Sequence, residues 1–381
     1  MTTKLLVPDM PSADALLPWL RRMDASHQYA NFGPLVQELE KTLAQHWPNS
    51  LADPAAMAGA LLPLHVVTLS TGTAPLELGM AALGLAKGGE VLLPAFSFAA
   101  TAAAVLRSGL QPVFADVSPD TWQLTPALAL DAANQRSLAL VMPVATFGCP
   151  LDVAGWDAFV DETGIPVLMD AAAAFGNQAV GRRVAVSFSM HATKPFGIGE
   201  GGLLVTRDDA LATRVMRLSN FGLQDGQALM VGTNAKLSEY SAAVALAQWA
   251  RWPVLQAGRS AQWNRYSEGL SALQGVRLQS GFGTGALPSP VVLHLPCDAG
   301  AVAIALAREG IDTRRWYCPA LHRHPAFAGC SVMGSQGVAV LPVTDHLANH
   351  TLGVPWHNFL KEEEMDSVVY ALTVALEELQ C

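Results

Sequence analysis

A single lysine in the middle of the chain lies in a setting that favours covalent chemistry. Lys194 follows an apolar segment at residues 184–190 and precedes a turn that contains Gly197 and Gly199. Burial disfavours a charged amine, so a lysine in such surroundings is readily deprotonated. The neutral amine can attack an aldehyde and form a Schiff base. This setting predicts a covalent role for Lys194, and the alternative is an ordinary half-buried lysine.

A carboxylate and a loop that could bind phosphate occur upstream of this lysine. Asp170 follows the apolar segment 165–169, and α/β sheets bind ligands at the carboxyl ends of their parallel strands. A carboxylate there needs a cationic partner, such as a protonated pyridine nitrogen. Thr71, Gly72 and Thr73 precede a predicted helix, whose first N–H groups could bind a phosphate.

The combination of amine, carboxylate and phosphate loop predicts a site for pyridoxal 5′-phosphate (PLP). Taken singly, the carboxylate and the loop could be no more than helix caps. Gly197, Gly199 and Gly202 also spell the dinucleotide-binding pattern G-x-G-x-x-G. That pattern should follow a strand and open a helix, but here it leads into the apolar segment 203–206. We therefore interpret these glycines as a turn and not as a nucleotide site.

Short apolar runs alternate with helical segments rich in Ala and Leu over the first half of the chain. Continuous apolar strands separated by helices are typical of a parallel sheet with both faces covered. We therefore predict an α/β fold with a largely parallel sheet. The predicted strands are residues 65–69, 91–94, 112–117, 138–144, 165–169, 184–190 and 203–206.

The length of 381 residues predicts two domains. A helix is predicted to begin at Ser238, a good N-cap, and to end at Trp252, because Pro253 does not continue a helix. We place the domain boundary at that point. The predicted parts are a large cofactor-binding domain at residues 1–252, a small α+β domain at residues 253–381, and a segment 1–28 that could pack on the small domain.

The composition indicates an acidic, soluble protein that associates with itself. The 23 basic and 32 acidic residues give a net charge of −9, which argues against nucleic-acid binding. Only 14% of the residues are charged and 51% are hydrophobic, so we expect more buried surface than one monomer requires. The longest uncharged stretch, residues 54–76, is interrupted by prolines and polar residues, so we predict no membrane span and no signal peptide.

The five cysteines are widely spaced and include no Cys-x-x-Cys pair. This spacing predicts neither a disulfide framework nor a zinc ribbon, and a reducing cytoplasm is the expected location. Cys318, His322, His324 and Cys330 are side chains of types that bind metals, but their spacing matches no standard zinc motif. We therefore predict no metal site.

A series of short motifs follows in order along nearly the whole chain. They are Tyr29-Ala30-Asn31-Phe32-Gly33-Pro34, Ser70-Thr71-Gly72-Thr73-Ala74, Pro94-Ala95-Phe96-Ser97-Phe98-Ala99-Ala100-Thr101, Asp170-Ala171-Ala172, Lys194 with Gly199-Glu200-Gly201-Gly202, Asn234-Ala235-Lys236, and Thr313-Arg314 with Leu321-His322. In these motifs the chain resembles the DegT/DnrJ/EryC1/StrS aminotransferases, PLP-dependent enzymes of fold type I that usually act on nucleotide-linked keto sugars. The family fold has a large domain with a mostly parallel seven-stranded sheet flanked by helices and a smaller C-terminal α+β domain.

The resemblance implies a role for each residue that matches a cofactor motif of the family. Lys194 would form the Schiff base with PLP and later shuttle a proton, and Asp170 would pair with the pyridine nitrogen. Phe98 would stack on the ring, where an aromatic side chain adds contact at little entropic cost. The cofactor phosphate would be bound by Gly72, Thr73 and Ser189.

Other matches imply a shared active site and a substrate pocket. Asn234 and Lys236 match a segment that in relatives reaches the phosphate or substrate of the second subunit, which implies a homodimer with shared active sites. Relatives commonly carry Gln where this chain has Ala173, and often an aromatic residue after the Asn, so the shape of the substrate pocket stays open. The implied substrate-binding residues are Tyr29, Asn31, Arg314 and His322.

The resemblance implies an aminotransferase that moves an amino group from an amino acid, expected to be glutamate, to a keto sugar nucleotide. A PLP-dependent sugar dehydratase and an aminotransferase for a non-nucleotide keto substrate are alternatives. Dehydratases of the family replace the lysine, so Lys194 argues against the first of these. A non-catalytic regulatory or assembly protein is an alternative of another class, which the intact Lys194, Asp170 and Thr73 disfavour.

Overall fold

The described residues fold around a large mixed sheet and a small antiparallel sheet. The computed structural model describes residues 2–47, 62–283, 285–334 and 340–381. Residues 54–61, which begin the uncharged stretch considered above, lie outside this part. Among the helices of the described residues, none combines the length and the apolar character needed to cross a membrane.

The large sheet confirms the predicted α/β class. Its strands are β1 (His65–Leu69), β2 (Glu90–Pro94), β3 (Gln111–Ala115), β4 (Leu138–Val141), β5 (Leu168–Asp170), β6 (Ala185–Ser189) and β7 (Gly202–Thr206), with the short β12 (Ser331–Val332) at one edge. Hydrogen bonds connect β1-β7-β6-β5 and β4-β2-β3-β12, and parallel bridges from Val141 to Val167 and from Val144 to Asp170 join the two groups. Within this sheet β7 runs antiparallel to its neighbours β1 and β6, and the remaining pairs are parallel.

Helices cover both faces of this sheet. They are α1 (Ala13–Ser26), α2 (Pro34–Gln45), α3 (Ala74–Leu83), α4 (Ala99–Arg107), α5 (Pro126–Ala133), α6 (Val153–Thr163), α7 (Asp209–Leu218) and the first part of α8 (Glu239–Ser271). Successive strand residues face opposite sides, so Leu203 and Leu204 belong to two different hydrophobic clusters. Because both faces are buried, the strands are continuously apolar, which is why the sequence pattern located them.

The helix that begins at Ser238 is longer than the sequence predicts. Ser238 does cap it, since its hydroxyl accepts a hydrogen bond from the N–H of Ser241 over 3.1 Å. The expectation that the helix ends at Trp252 is wrong, because α8 continues through Pro253 to Ser271. Proline removes one helical hydrogen bond, but Trp252 and Tyr266 are both buried and anchor the two halves in separate hydrophobic clusters.

The second half of α8 leads into the small antiparallel sheet. That sheet contains β10 (Arg277–Leu278), β11 (Val292–His294) and β13 (Thr351–Gly353), and α9 (Ala299–Arg308), α10 (Pro342–His350) and α11 (Glu362–Glu378) accompany it. The N-terminal segment reaches this region, where Thr3 pairs with Ile311 and the N–H of Trp356 donates to the Leu5 carbonyl over 3.0 Å. The division into domains at residue 252 stays a prediction. A separate hairpin, β8 (Leu223–Gln224) and β9 (Gln227–Ala228), precedes α8.

One cysteine pair forms a disulfide that the cysteine spacing did not indicate. Cys297 and Cys381, which are 84 residues apart, form a disulfide. Cys297 lies just before α9 and Cys381 follows α11, and these two helices pack on each other. Sequence spacing could not reveal the pair, because only this packing brings its members together. Since the cysteine pattern was the argument for a reducing compartment, a cytoplasmic location stays a prediction.

Candidate active site

A cavity of about 510 Å³ lies at the carboxyl ends of the parallel strands. The ends of β1, β5 and β6 lead directly into its walls. Ala173, which occupies the place of the family Gln, also lines it. The cavity brings together many of the predicted site residues, namely Gly72, Thr73, Phe98, Asp170, Ser189, Lys194 and Arg314.

Lys194 lies in the turn that follows β6. Its N–H donates to the His191 carbonyl over 2.8 Å, and a bridge between His191 and Gly199 closes the turn. Burial lowers the pKa of the Lys194 amine, while the negative charge of Asp170 opposes part of this effect. At a given pH, a larger fraction of Lys194 is therefore neutral than of a solvated lysine, as a nucleophilic amine requires.

Asp170 ends β5 and is almost completely buried, with 6% of its surface exposed. Thr101 Oγ1 donates to one carboxylate oxygen over 2.8 Å, and the N–H of Ala172 donates to the other over 3.2 Å. Burial raises the pKa of Asp170, and these two donors together with Lys194 counteract the shift. The carboxylate thus has neutral donors behind it and faces the cavity, where a cationic ring nitrogen would favour its charged form.

The loop between β1 and α3 comes very close to the end of β6. A Cβ atom on Gly72 would lie 2.5 Å from Ser189 Oγ, so this approach requires glycine. Thr73 precedes the first residue of α3 and its side chain makes no cap hydrogen bond. Ser189 Oγ accepts a hydrogen bond from the His191 N–H over 3.2 Å and can still donate its own proton. Backbone N–H groups at the start of a helix bind phosphate, and the hydroxyl groups of Thr73 and Ser189 can also donate to it.

Sequence reasoning missed several residues that shape this cavity. Thr101 holds Asp170, and its hydroxyl lies 2.9 Å from Ser97 Oγ. The Tyr317 ring stacks on Phe147 with 5.3 Å between centroids, and both rings line the cavity. Burial and the charge of Asp170 raise the pKa of Tyr317, so its hydroxyl stays protonated. Thr101 belongs to the same motif as Phe98 and could have been found there, whereas nothing near Tyr317 in the sequence points to this cavity.

Two residues implied to bind the cofactor lie outside the cavity of their own chain. Lys236 Nζ donates to Asn220 Oδ1 over 2.7 Å and lies 5.1 Å from the centroid of the Phe221 ring. Asn234 pairs with Asn220 in an isolated bridge. Neither Asn234 nor Lys236 lines the cavity. Their role in cofactor binding therefore stays a prediction that involves the cavity of a second subunit.

Three residues implied to bind substrate also lie away from the cavity lining. Tyr29 stacks on Tyr240 with 6.1 Å between ring centroids, and Asn31 adopts a left-handed backbone conformation with φ of 62°. His322 is buried, with Nε2 located 3.1 Å from Asp345 Oδ1. Burial lowers the pKa of His322.

Within the described ranges, no group of His, Cys, Asp and Glu side chains is arranged to hold a metal ion.

Comparison with known proteins gives a consistent picture. A sequence model of the DegT/DnrJ/EryC1/StrS aminotransferase family matches residues 14–373. The chain is 31% identical over 386 residues to Protein Rv3402c of Mycobacterium tuberculosis, which covers 97% of this chain and 89% of that protein. It is 30% identical to the UDP-2-acetamido-2-deoxy-3-oxo-D-glucuronate aminotransferase of Pseudomonas aeruginosa, with 90% of each chain covered. The crystal structure of DesI in the presence of its TDP-sugar product has a TM-score of 0.82 at 31% identity, covering 98% of this chain and 95% of DesI.

Proposed function

Because this chain belongs to the DegT/DnrJ/EryC1/StrS family of PLP-dependent aminotransferases, we propose that it aminates a keto sugar linked to a nucleoside diphosphate. Glutamate is the expected amino donor. The observation that carries the proposal is the meeting of Lys194, Asp170 and the Gly72 loop in one cavity. Two similar proteins support the acceptor, since one is an aminotransferase for a UDP-linked keto sugar acid and the other, DesI, was crystallised in the presence of its TDP-sugar product.

The side chains of the cavity fit PLP. The buried carboxylate of Asp170 faces the cavity. Gly72 lies so close to Ser189 that a side chain at position 72 would not fit. Phe98 is 58% exposed although it is a large apolar residue, so its ring is available to cover a flat ligand. When bound, PLP supplies an aldehyde and an aromatic ring that takes up the electrons left on the donor carbon.

Two residues of this chain would do the acid–base and electrostatic work. Burial lowers the pKa of Lys194 Nζ. This amine would take the proton from the α-carbon of the donor and deliver it to C4′ of the cofactor. Asp170 would hold the positive charge at the pyridine nitrogen, and Thr101 keeps the carboxylate in position.

Arg314 would bind the acceptor. It lines the cavity, its side chain is exposed, and its guanidinium carbon lies 5.6 Å from the Trp316 ring centroid. No carboxylate of the described residues forms an ion pair with it. An exposed, unpaired guanidinium beside an aromatic ring can bind a phosphate bidentately. We assign Arg314 to the diphosphate of the acceptor.

The test is a substrate screen with purified holoenzyme. Glutamate is combined with a panel of keto sugar nucleotides, and mass spectrometry follows the conversion of the keto group to an amine. We expect 2-oxoglutarate and one amino sugar nucleotide to form in equal amounts, and Lys194→Ala to form neither. If glutamate converts the cofactor but none of the nucleotides is aminated, the proposed acceptor class is wrong.

We also propose that the enzyme is a homodimer in which Asn234 and Lys236 complete the site of the partner subunit. The segment around β8 and β9 exposes large apolar side chains, which water disfavours. Val231 is 99% exposed, Leu229 58% and Phe221 50%. A second copy of the chain that covers this segment would bury these side chains and receive Asn234 and Lys236.

A subunit-mixing experiment tests the shared site. An inactive Lys194→Ala protein is combined with a protein in which both Asn234 and Lys236 are replaced by Ala, and subunit exchange is verified by mass. We expect heterodimers to regain activity, because one of their two sites combines an intact lysine with an intact loop. Verified exchange without any recovery, or full activity of the loop variant alone, would contradict the shared site.

A further inference from the structure

A small chamber of about 40 Å³ adjoins the active-site cavity on the side of Lys194. The chamber and the cavity share the lining residues Leu6, Thr193, Lys194 and Ser289. A single water needs roughly 10–15 Å³ of such space, so the chamber holds about three or four waters or a group of that size. A carboxylate has three heavy atoms and matches this volume.

The guanidinium of Arg259 lines this chamber without a counter-ion. Its Nη2 donates to the Pro288 carbonyl over 3.1 Å, and its guanidinium carbon lies 5.7 Å from the centroid of the Trp356 ring. The Nε atom is shielded from solvent and has no hydrogen-bond partner among the described residues. Burial lowers the pKa of Arg259 to about 10. A shielded positive charge with an unused donor is costly unless an anion reaches it.

A second unpaired nitrogen lines the same chamber. His357 Nδ1 is buried and has no hydrogen-bond partner within the described residues. Asp9 also lines the chamber, but Arg251 binds one of its oxygens over 2.6 Å and Asn358 binds the other over 2.8 Å. With Asp9 engaged in this way, the charge of Arg259 has no free carboxylate partner among the residues that line the chamber, so the chamber favours an anion.

We propose that Arg259 binds a carboxylate of the amino-acid donor in this chamber, while the donor amine lies toward Lys194. The inference rests on the proposed transfer from an amino acid and specifies how that donor is bound. A carboxylate can accept hydrogen bonds from the guanidinium of Arg259, so it would satisfy the unpaired Nε and balance the shielded charge. The chamber is too small for a sugar or a nucleotide, which assigns it to the donor and leaves the larger cavity to the acceptor.

The first measurement is a binding experiment with the holoenzyme. Glutarate carries the two carboxylates of glutamate but no amine, and calorimetry gives its affinity. We expect Arg259→Met to weaken glutarate binding about 10- to 150-fold, the usual loss for a hydrogen bond to a charged group. Arg259→Lys keeps the charge but loses the planar fork, so an intermediate loss is expected. The matched control is Arg265→Met on the same helix, because Arg265 is exposed and paired with Asp366 at 2.8 Å.

The second measurement follows the donor half of the reaction through the absorbance of the cofactor. Arg259→Met should raise the KM of the donor about 10- to 150-fold with little change in kcat, since the contact is made equally in the ground and transition states. A higher KM for both alanine and glutamate identifies the α-carboxylate as the bound group. A higher KM for glutamate alone identifies the side-chain carboxylate.

The proposal fails if folded, cofactor-loaded Arg259→Met binds glutarate and both donors as the wild type does. It fails equally if only the KM of the acceptor changes. Should the Met variant not fold, acetate with the wild-type enzyme decides the question, because acetate must compete with the donor and not with the acceptor. The donor half-reaction needs no acceptor, so failure of the keto sugar screen leaves this test readable.

Discussion

Replacing Asp170 by Asn separates the charge of this residue from its shape. Asp170 Oδ2 accepts from Thr101 Oγ1 over 2.8 Å, and Thr101 in turn lies 2.9 Å from Ser97 Oγ. In the variant the amide NH₂ can donate to Thr101, whose hydroxyl can then donate to Ser97. The amide oxygen can still accept from the N–H of Ala172. All local hydrogen bonds therefore survive, and we expect Asp170→Asn to fold and to keep the stability of the wild type.

The missing charge should affect the cofactor instead. A hydrogen bond to a charged group contributes about 1.5–3 kcal/mol, which corresponds to a loss of about 10- to 150-fold in PLP affinity. The rate of the donor half-reaction should fall at least as much, because a neutral amide holds a protonated pyridine nitrogen poorly. Equilibrium dialysis measures the PLP affinity, and stopped-flow absorbance of saturated enzyme measures the rate.

Glu40 offers a matched control for this change. It is another carboxylate whose pKa burial raises, and it accepts hydrogen bonds from the N–H and the hydroxyl of Thr68, each over 2.9 Å. Glu40 does not line the cavity. Glu40→Gln should therefore leave PLP affinity and rate unchanged. If Asp170→Asn keeps wild-type affinity and turnover, or if Glu40→Gln loses as much of both, Asp170 is only a structural residue.

Three further predictions concern other parts of the chain. Borohydride reduction followed by peptide mass mapping should find the pyridoxyl group on Lys194, and an adduct on Lys87 or Lys236 would overturn that assignment. Burial lowers the pKa of Lys194 and the charge of Asp170 opposes this shift, so PLP loading should increase with pH and level off below the ordinary pKa range of lysine. In Asp170→Asn the loading should level off at a still lower pH. Gly72→Ala should lower the free energy of unfolding by about 1–3 kcal/mol and weaken PLP binding, because its Cβ would lie 2.5 Å from Ser189 Oγ. Gly258→Ala should do neither, because a Cβ at that position would meet no described atom within 4 Å beyond the backbone of its own helix. Cys381→Ser should lower the free energy of unfolding by about 2–5 kcal/mol and Cys330→Ser by much less, and equal unfolding curves for the two variants would argue against a disulfide in solution.

Much of the large sheet and part of the candidate site could be inferred from the sequence, because both depend on local patterns. The strands are buried on both faces, so each one is a continuous apolar run, and β1 was predicted with the residues His65–Leu69 that the structure has. Asp170 ends β5 and Lys194 lies in the turn that follows β6, which places both at the carboxyl edge of the sheet. Chemistry-bearing residues at strand ends are readable without knowing which strands are neighbours.

The remaining features depend on contacts between distant parts of the chain. The hydrogen bond from Thr101 to Asp170 spans 69 residues and the disulfide spans 84, and no local pattern encodes either. Pro253 predicted the end of a helix, yet burial of Trp252 and Tyr266 in two different hydrophobic clusters carries α8 through it. The sequence by itself determined which residues can do the chemistry, because residue type and strand position are local properties. Only the tertiary structure decided which side chains orient these chemical groups. It alone revealed that Arg259 is shielded without a counter-ion among the described residues, because packing between distant segments controls burial and pairing.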